Sequence, residues 1–144
     1  MMIRKILFVV LLLIVVGVAT ACNGRRQGMN FENGSPITAT QAHEMIQTNP
    51  DAIILDVRTQ AEFDARRIPN AMLIPSDVLA AQATELLPDK NALILVHCRS
   101  GVRSAAAVEL LLSMGYTNIL DFGGILDWYY ETIDETIDHE TINE

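Results

Sequence analysis

Apolar positions fall into two regimes along this chain. From Ile6 to Val16 they form an unbroken run of eleven residues. Beyond Pro36 they come in short bursts: Ile53-Ile54-Leu55 with Val57, Met72-Leu73-Ile74, Leu93 to Val96, and Ile119-Leu120 after Asn118. Bursts of that length are the pattern of strands buried on both faces, as in a parallel sheet. Helix signals lie between them. Thr38 with Gln41 is a capping-box pair opening a helix to about Thr48, where Asn49 and Pro50 stop it. Thr59 with Glu62 repeats the pattern for a short helix to about Ala65. Ile68-Pro69-Asn70 reads as a turn, Pro75 ends the second strand, and Ser76 is placed to cap a helix to about Leu87. The span from Ser104 to Met114 is the strongest helix. Its Ala105, Val108, Leu111 and Leu112 share one face, and Gly115 suits the position after its end. Gly123-Gly124 reads as a tight turn into Ile125 to Tyr130. Strands alternating with helices predict an α/β, three-layer fold with a central, mostly parallel sheet flanked by helices. In such sheets ligands meet the carboxyl ends of the strands.

The chain has 144 residues, room for one ordinary domain. Arg4 and Lys5 precede the long apolar run and Ala19-Thr20-Ala21 follow it, the arrangement of a secretory signal over residues 1–21. Eleven residues fall short of the roughly 20 that span a bilayer. An uncleaved membrane anchor is the alternative. Cys22 follows small residues directly and resembles the lipobox of bacterial lipoproteins, although Ala19 stands where that motif usually has leucine. The resemblance implies cleavage before Cys22 and a lipid on its sulfur. The expected chain is exported and membrane-anchored in the cell envelope. Residues 22–35 read as a flexible tether, and the domain is expected over 36–130. The remaining 131–144 carry six acids and no Lys or Arg. They repeat Glu-Thr-Ile-Asp at 131–134 and 135–138 and Glu-Thr-Ile-Asn at 140–143. Such a tail is expected to be solvated, with a short helix through Ile133 and Ile137 as the alternative. Net charge is −8, which argues against nucleic acid as a partner.

Candidate chemistry lies where the third strand ends. Leu93 to Ser104 reads LILVHCRSGVRS, so an apolar run closes on Cys98 just before a helix. With Cys22 lipidated, Cys98 is the sole thiol of the mature chain and no disulfide framework is possible. Three features favour its thiolate. The helix start points its partial positive end at the sulfur. Backbone N–H groups of residues 99 to 103 can curl into an anion nest, with Gly101 free to take positive φ. Arg99 and Arg103 add full charges. Such surroundings lower a cysteine pKa from about 8.5 to between roughly 3.5 and 7.5. The plain alternative is a cysteine packed as a small hydrophobe. The number of residues between Cys98 and Arg103 is four. Tyrosine phosphatases place five there, around a phosphate. A loop one residue shorter suits a single extra sulfur atom better.

Cys98-Arg99-Ser100-Gly101-Val102-Arg103-Ser104 resembles the active-site loop of rhodanese-like, thiosulfate sulfurtransferase domains. Leu55-Asp56-Val57-Arg58 with Glu62-Phe63, Ile68-Pro69 with Ala71, Ile74-Pro75, Gly115-Tyr116 and Gly123-Gly124-Ile125 with Trp128 follow in that family's order, over about residues 36 to 130. The resemblance implies a cofactor-free reaction. The Cys98 thiolate takes sulfane sulfur from a small anionic donor such as thiosulfate, and a thiol or cyanide acceptor removes it. Arg99 and Arg103 would neutralise the donor, with Arg103 also bracing the loop. Ser100, Gly101 and Val102 would supply backbone donors, and Ser104 would support the loop or cap the helix. Asp56 and Arg58 read as a structural brace, and Trp128 as core. His97 points away from the nucleophile on a continuing strand, which disfavours it as a general base. His43 and His139 read as solvated, and no two histidines suggest a metal site. Arg66-Arg67-Ile68-Pro69-Asn70 replaces the family's usual glycine- and histidine-containing turn, where Asn70 can still take a left-handed turn conformation. Two other readings remain: a persulfide carrier or interaction module without turnover, and phosphatase or arsenate-reducing chemistry, which the four-residue spacing disfavours.

Overall fold

The computed structural model describes residues 31–135. The expected signal peptide, Cys22, His139 and the later tail repeats lie outside them. The elements in order are α1 (Ala39–Thr48), β1 (Ile53–Asp56), α2 (Gln60–Ala65), β2 (Arg66–Arg67), β3 (Met72–Leu73), α3 (Leu79–Leu86), β4 (Ile94–Cys98), α4 (Val102–Ser113), β5 (Ile119–Gly124) and β6 (Ile133–Asp134). A single 3-10 turn covers Ile125–Asp127. β3, β1, β4 and β5 form one sheet in that order, every pair parallel. β2 and β6 form a small antiparallel pair of their own.

The local rules that predicted the helices are visible at their ends. Thr38 and Thr59 each accept the N–H three residues on, and Gln41 and Glu62 accept the cap residue's own N–H. Asn70 adopts φ 62°, the left-handed conformation that asparagine tolerates in a turn. Ser76 does not cap α3. That helix opens at Val78 without a side-chain bond, and the Ser76 N–H donates to the Val57 carbonyl at 3.1 Å. α4 starts at Val102, earlier than the apolar face alone indicated, from a left-handed Gly101.

β4 is central, and its alternation sorts the core into two faces. Val96 and Cys98 pack with α3 and α4 through Leu79, Ala83, Val108 and Leu111. Leu95 faces a second cluster with Ala42 of α1, Phe122 and Trp128. Tyr116 ties the first layer together. Its buried hydroxyl lies 2.9 and 2.8 Å from the carbonyls of Ala83 and Leu87 and donates to one of them.

Both margins of the domain are wider than the composition suggested. Within the expected tether, Phe31 packs on the second cluster and Asn33 bonds to Tyr116 and Ile119. The Gly34 N–H donates to the Ile119 carbonyl at 2.7 Å. At the other end, the first Glu-Thr-Ile-Asp repeat supplies β6, a strand where solvated chain or helix was expected. Arg66 pairs in register with Asp134 and Arg67 with Ile133.

Candidate active site around Cys98

Cys98 is the last residue of β4, at the carboxyl edge of the sheet, and is 1% exposed. Parallel pairing to β5 is interrupted beside it: Val96 sits opposite Asp121 but Cys98 opposite Gly124. β5 thus carries one extra residue beside Cys98, a bulge in the pairing. The Gly101 N–H donates to Cys98 Sγ at 3.1 Å, from a backbone at φ 99°. Burial pushes the thiol's pKa up. The amides of Ser104, Ser100 and Gly101, together with the Ser104 hydroxyl, outweigh it, so the pKa lies below the ordinary thiol value. Ser104 is itself buried, with its hydroxyl 2.9 Å from the Gly101 carbonyl and 3.3 Å from that of Gly123.

Gly124 explains how the loop fits. A Cβ there would lie 2.4 Å from the Arg99 carbonyl oxygen and 2.7 Å from Ser100 Cα. The expected turn at Gly123-Gly124 is instead the end of β5, with Gly124 a contact point that tolerates no side chain. The Leu126 N–H then donates to the Arg99 carbonyl at 3.3 Å.

The arginines divide into different tasks. Arg103, expected to meet substrate, reaches Glu62 instead, with both guanidinium nitrogens 2.8 Å from the two carboxylate oxygens. That bond is the main cause holding the Glu62 carboxyl at about 2. Arg99 is exposed at the rim and carries no ion pair among the described residues. Val102 carries a side chain 78% exposed at the start of α4. Arg58 lies buried against Asp56, with Nη2 2.6 Å from Oδ2, and also donates to the carbonyls of Glu62 and Arg66. Arg66 itself is tied to Thr132 and Asp134, and Arg67 lies over Phe63.

His97 is fully buried on the opposite face, its ring 4.9 Å from Phe122. Burial, the largest influence, pushes its pKa below the usual value. Trp128 is core, its indole N–H donating to the Glu131 carbonyl. His43 is not simply solvated: it stacks on Tyr130 at 3.7 Å. The residues missed by sequence reasoning are Glu62 as partner of Arg103, and Gly124 as the loop's floor. Glu62 stood out as a cap, but a contact spanning 41 positions has no local signal.

A family model described as a rhodanese-like domain matches residues 38–131. A sulfurtransferase of Allochromatium vinosum is 30% identical over 93 residues, 64% of this chain and 85% of that protein. The thiosulfate sulfurtransferase PspE of Escherichia coli K12 is 33% identical over 73 residues, 51% of this chain and 70% of its own length. Among longer relatives, the chain spans only 22% of the adenylyltransferase and sulfurtransferase UBA4 of Meyerozyma guilliermondii and 28% of a tRNA uridine(34) hydroxylase of Hamiltonella defensa. Among solved structures, a rhodanese with anions from E. coli aligns over 58% of this chain and 98% of that one, with TM-score 0.55 and 29% identity.

Proposed function

This chain belongs to the rhodanese-like family of sulfurtransferases, and from that membership we propose that it moves sulfane sulfur from a small anionic donor such as thiosulfate to a thiol or cyanide acceptor. The observation that carries this reading is the place of Cys98 at the carboxyl end of β4 with the Gly101 N–H on its Sγ at 3.1 Å; the amides of Ser104 and Ser100 act in the same sense, and the thiol's pKa lies below its ordinary value despite burial. A thiolate is the attacking species such a transfer needs.

In the first step the Cys98 thiolate attacks the outer sulfur of thiosulfate. A new S–S bond forms, the donor's own S–S bond breaks, and sulfite leaves with the electron pair. The terminal sulfur on Cys98 is then an anion in reach of the same amides. In the second step an acceptor thiolate attacks that sulfur and takes it, returning Cys98 to thiolate. Because Cys98 is 1% exposed, a slender donor that presents its sulfur end-on is favoured. Arg99 is the charge at the rim available to such a donor, while Arg103 acts through Glu62 on loop geometry. In this reading residues 1–21 direct export and a lipid on Cys22 holds the domain at the cell envelope.

Intact mass after thiosulfate treatment tests the proposal. The native chain is expected to gain one sulfur and lose it to an added thiol. Cys98→Ser is expected to gain none while keeping its melting temperature. Sulfur transfer by the serine variant at the native rate would overturn the reading. A gain that no acceptor thiol removes would favour a persulfide carrier.

A further inference from the structure

A cup of amides holds an anion only when the carbonyls of the same peptides turn outward. Two carbonyls open this loop. That of Arg99 is drawn outward by the Leu126 N–H, over the space Gly124 leaves. That of Cys98 meets a different group, the Nδ1 of His97 at 3.3 Å, in an imidazole with no exposed surface. The far edge of the same ring places Nε2 3.6 Å from Asp56 Oδ2, with no hydrogen bond made there. Both neighbours of the imidazole are acceptors, so a neutral ring can satisfy one of them. Asp56 already receives the Arg58 guanidinium and the Arg58 backbone N–H. Nδ1 is the edge within hydrogen-bond reach of an acceptor.

We infer that His97 is a positioning residue whose Nδ1–H donates to the Cys98 carbonyl and turns the first peptide of the loop, so that the later amides face the sulfur. The His97 carbonyl is fixed in turn by the N–H of Val57, the residue after β1, at 3.0 Å. The charged groups facing the ring are Asp56 and Arg58 from the end of β1 and Asp121 from β5. Burial dominates over all three and keeps the imidazole neutral, leaving one N–H to assign. The inference rests on Cys98 being the nucleophile, but its test needs no sulfur donor and can fail separately from the reading above.

Three full-length variants separate positioning from packing. His97→Asn puts an amide N–H near the Nδ1 position. His97→Gln moves it to the Nε2 end, toward Asp56, and His97→Leu removes it. Alkylation of Cys98 by iodoacetamide is followed against pH by peptide mass, with thermal denaturation alongside. His97→Asn is expected to keep the native midpoint. His97→Gln and His97→Leu are expected to raise it by about one pH unit, a roughly tenfold slower reaction on the acid side. Native midpoints in all three, whatever their melting temperatures, would overturn the assignment. So would an Asn variant shifted as far as the Gln variant, and that pair decides the matter if the Leu variant does not fold.

Discussion

Glu62 takes part in two structures at once. Its carboxylate accepts the Thr59 N–H at the start of α2 and both guanidinium nitrogens of Arg103. These contacts hold its carboxyl at about 2 against an ordinary 4.5. A depressed carboxylate contributes stability that is complete above its unfolded value and lost as pH falls through its folded one. Melting temperatures of the native chain should therefore carry a Glu62-dependent drop between about pH 4.5 and 2. Glu62→Gln keeps an acceptor for the cap and loses the charge pair. Its stability at neutral pH should be lower by about 1 kcal/mol, the scale of a partly exposed but bidentate pair. The Glu62 part of the acid drop should vanish, and a variant that reproduced the native acid profile would contradict this account. The capping half of the residue's role was legible in the sequence, because its partner lies three positions away. The Arg103 half was not, because β1, α2, β4 and the loop must all be in place before those two side chains meet.

At the scale of elements, the loop after β4 is shaped from outside as much as from within. Gly101 supplies a left-handed start to α4, and Gly124 on the neighbouring strand lets the loop backbone pass. The two glycines should fail differently. At Gly101 a Cβ meets nothing nearer than 3.6 Å, so alanine there costs chiefly the conformational strain of positive φ, about 1–2 kcal/mol. Gly124→Ala collides with backbone that cannot swing aside. It should destabilise by about 1–3 kcal/mol and also push the pH dependence of Cys98 alkylation toward that of an ordinary thiol. Denaturation and alkylation measured on the same variant check both halves. The sequence showed Gly123-Gly124 as punctuation and suggested a turn, but the reason for glycine at 124 is the backbone of Arg99 and Ser100, far earlier in the chain. Ser76 reads as a cap in the sequence, but the cap position falls two residues later, at Val78. Short apolar bursts, by contrast, located all four strands of the parallel sheet, because burial on both faces leaves its mark within each burst.

For the whole molecule, the order β3-β1-β4-β5 places Cys98 at the end of a central strand, with α3 and α4 packed on one face and α1 with an aromatic cluster on the other. The acidic end of the chain begins as part of this body. β6 pairs with β2, and the Glu131 carbonyl takes the Trp128 indole N–H. Composition alone could not reveal this, since Glu-Thr-Ile-Asp reads the same at 131–134 as at 135–138, and the pairing of Asp134 with Arg66 joins positions far apart in the chain. A chain ending at Tyr130 should melt several degrees below the full chain, whereas one ending at Glu135 should match it. Equal melting of the two truncations would remove β6 from the stabilised fold.

Trp128 is the chain's one tryptophan, and it sits where the body and its closing segment meet. Its indole is nearly sealed from water among Phe122, Tyr130 and His43. The protein thus carries a built-in optical probe: emission excited selectively from this one indole reports whether β6 is seated, without any label near the sulfur.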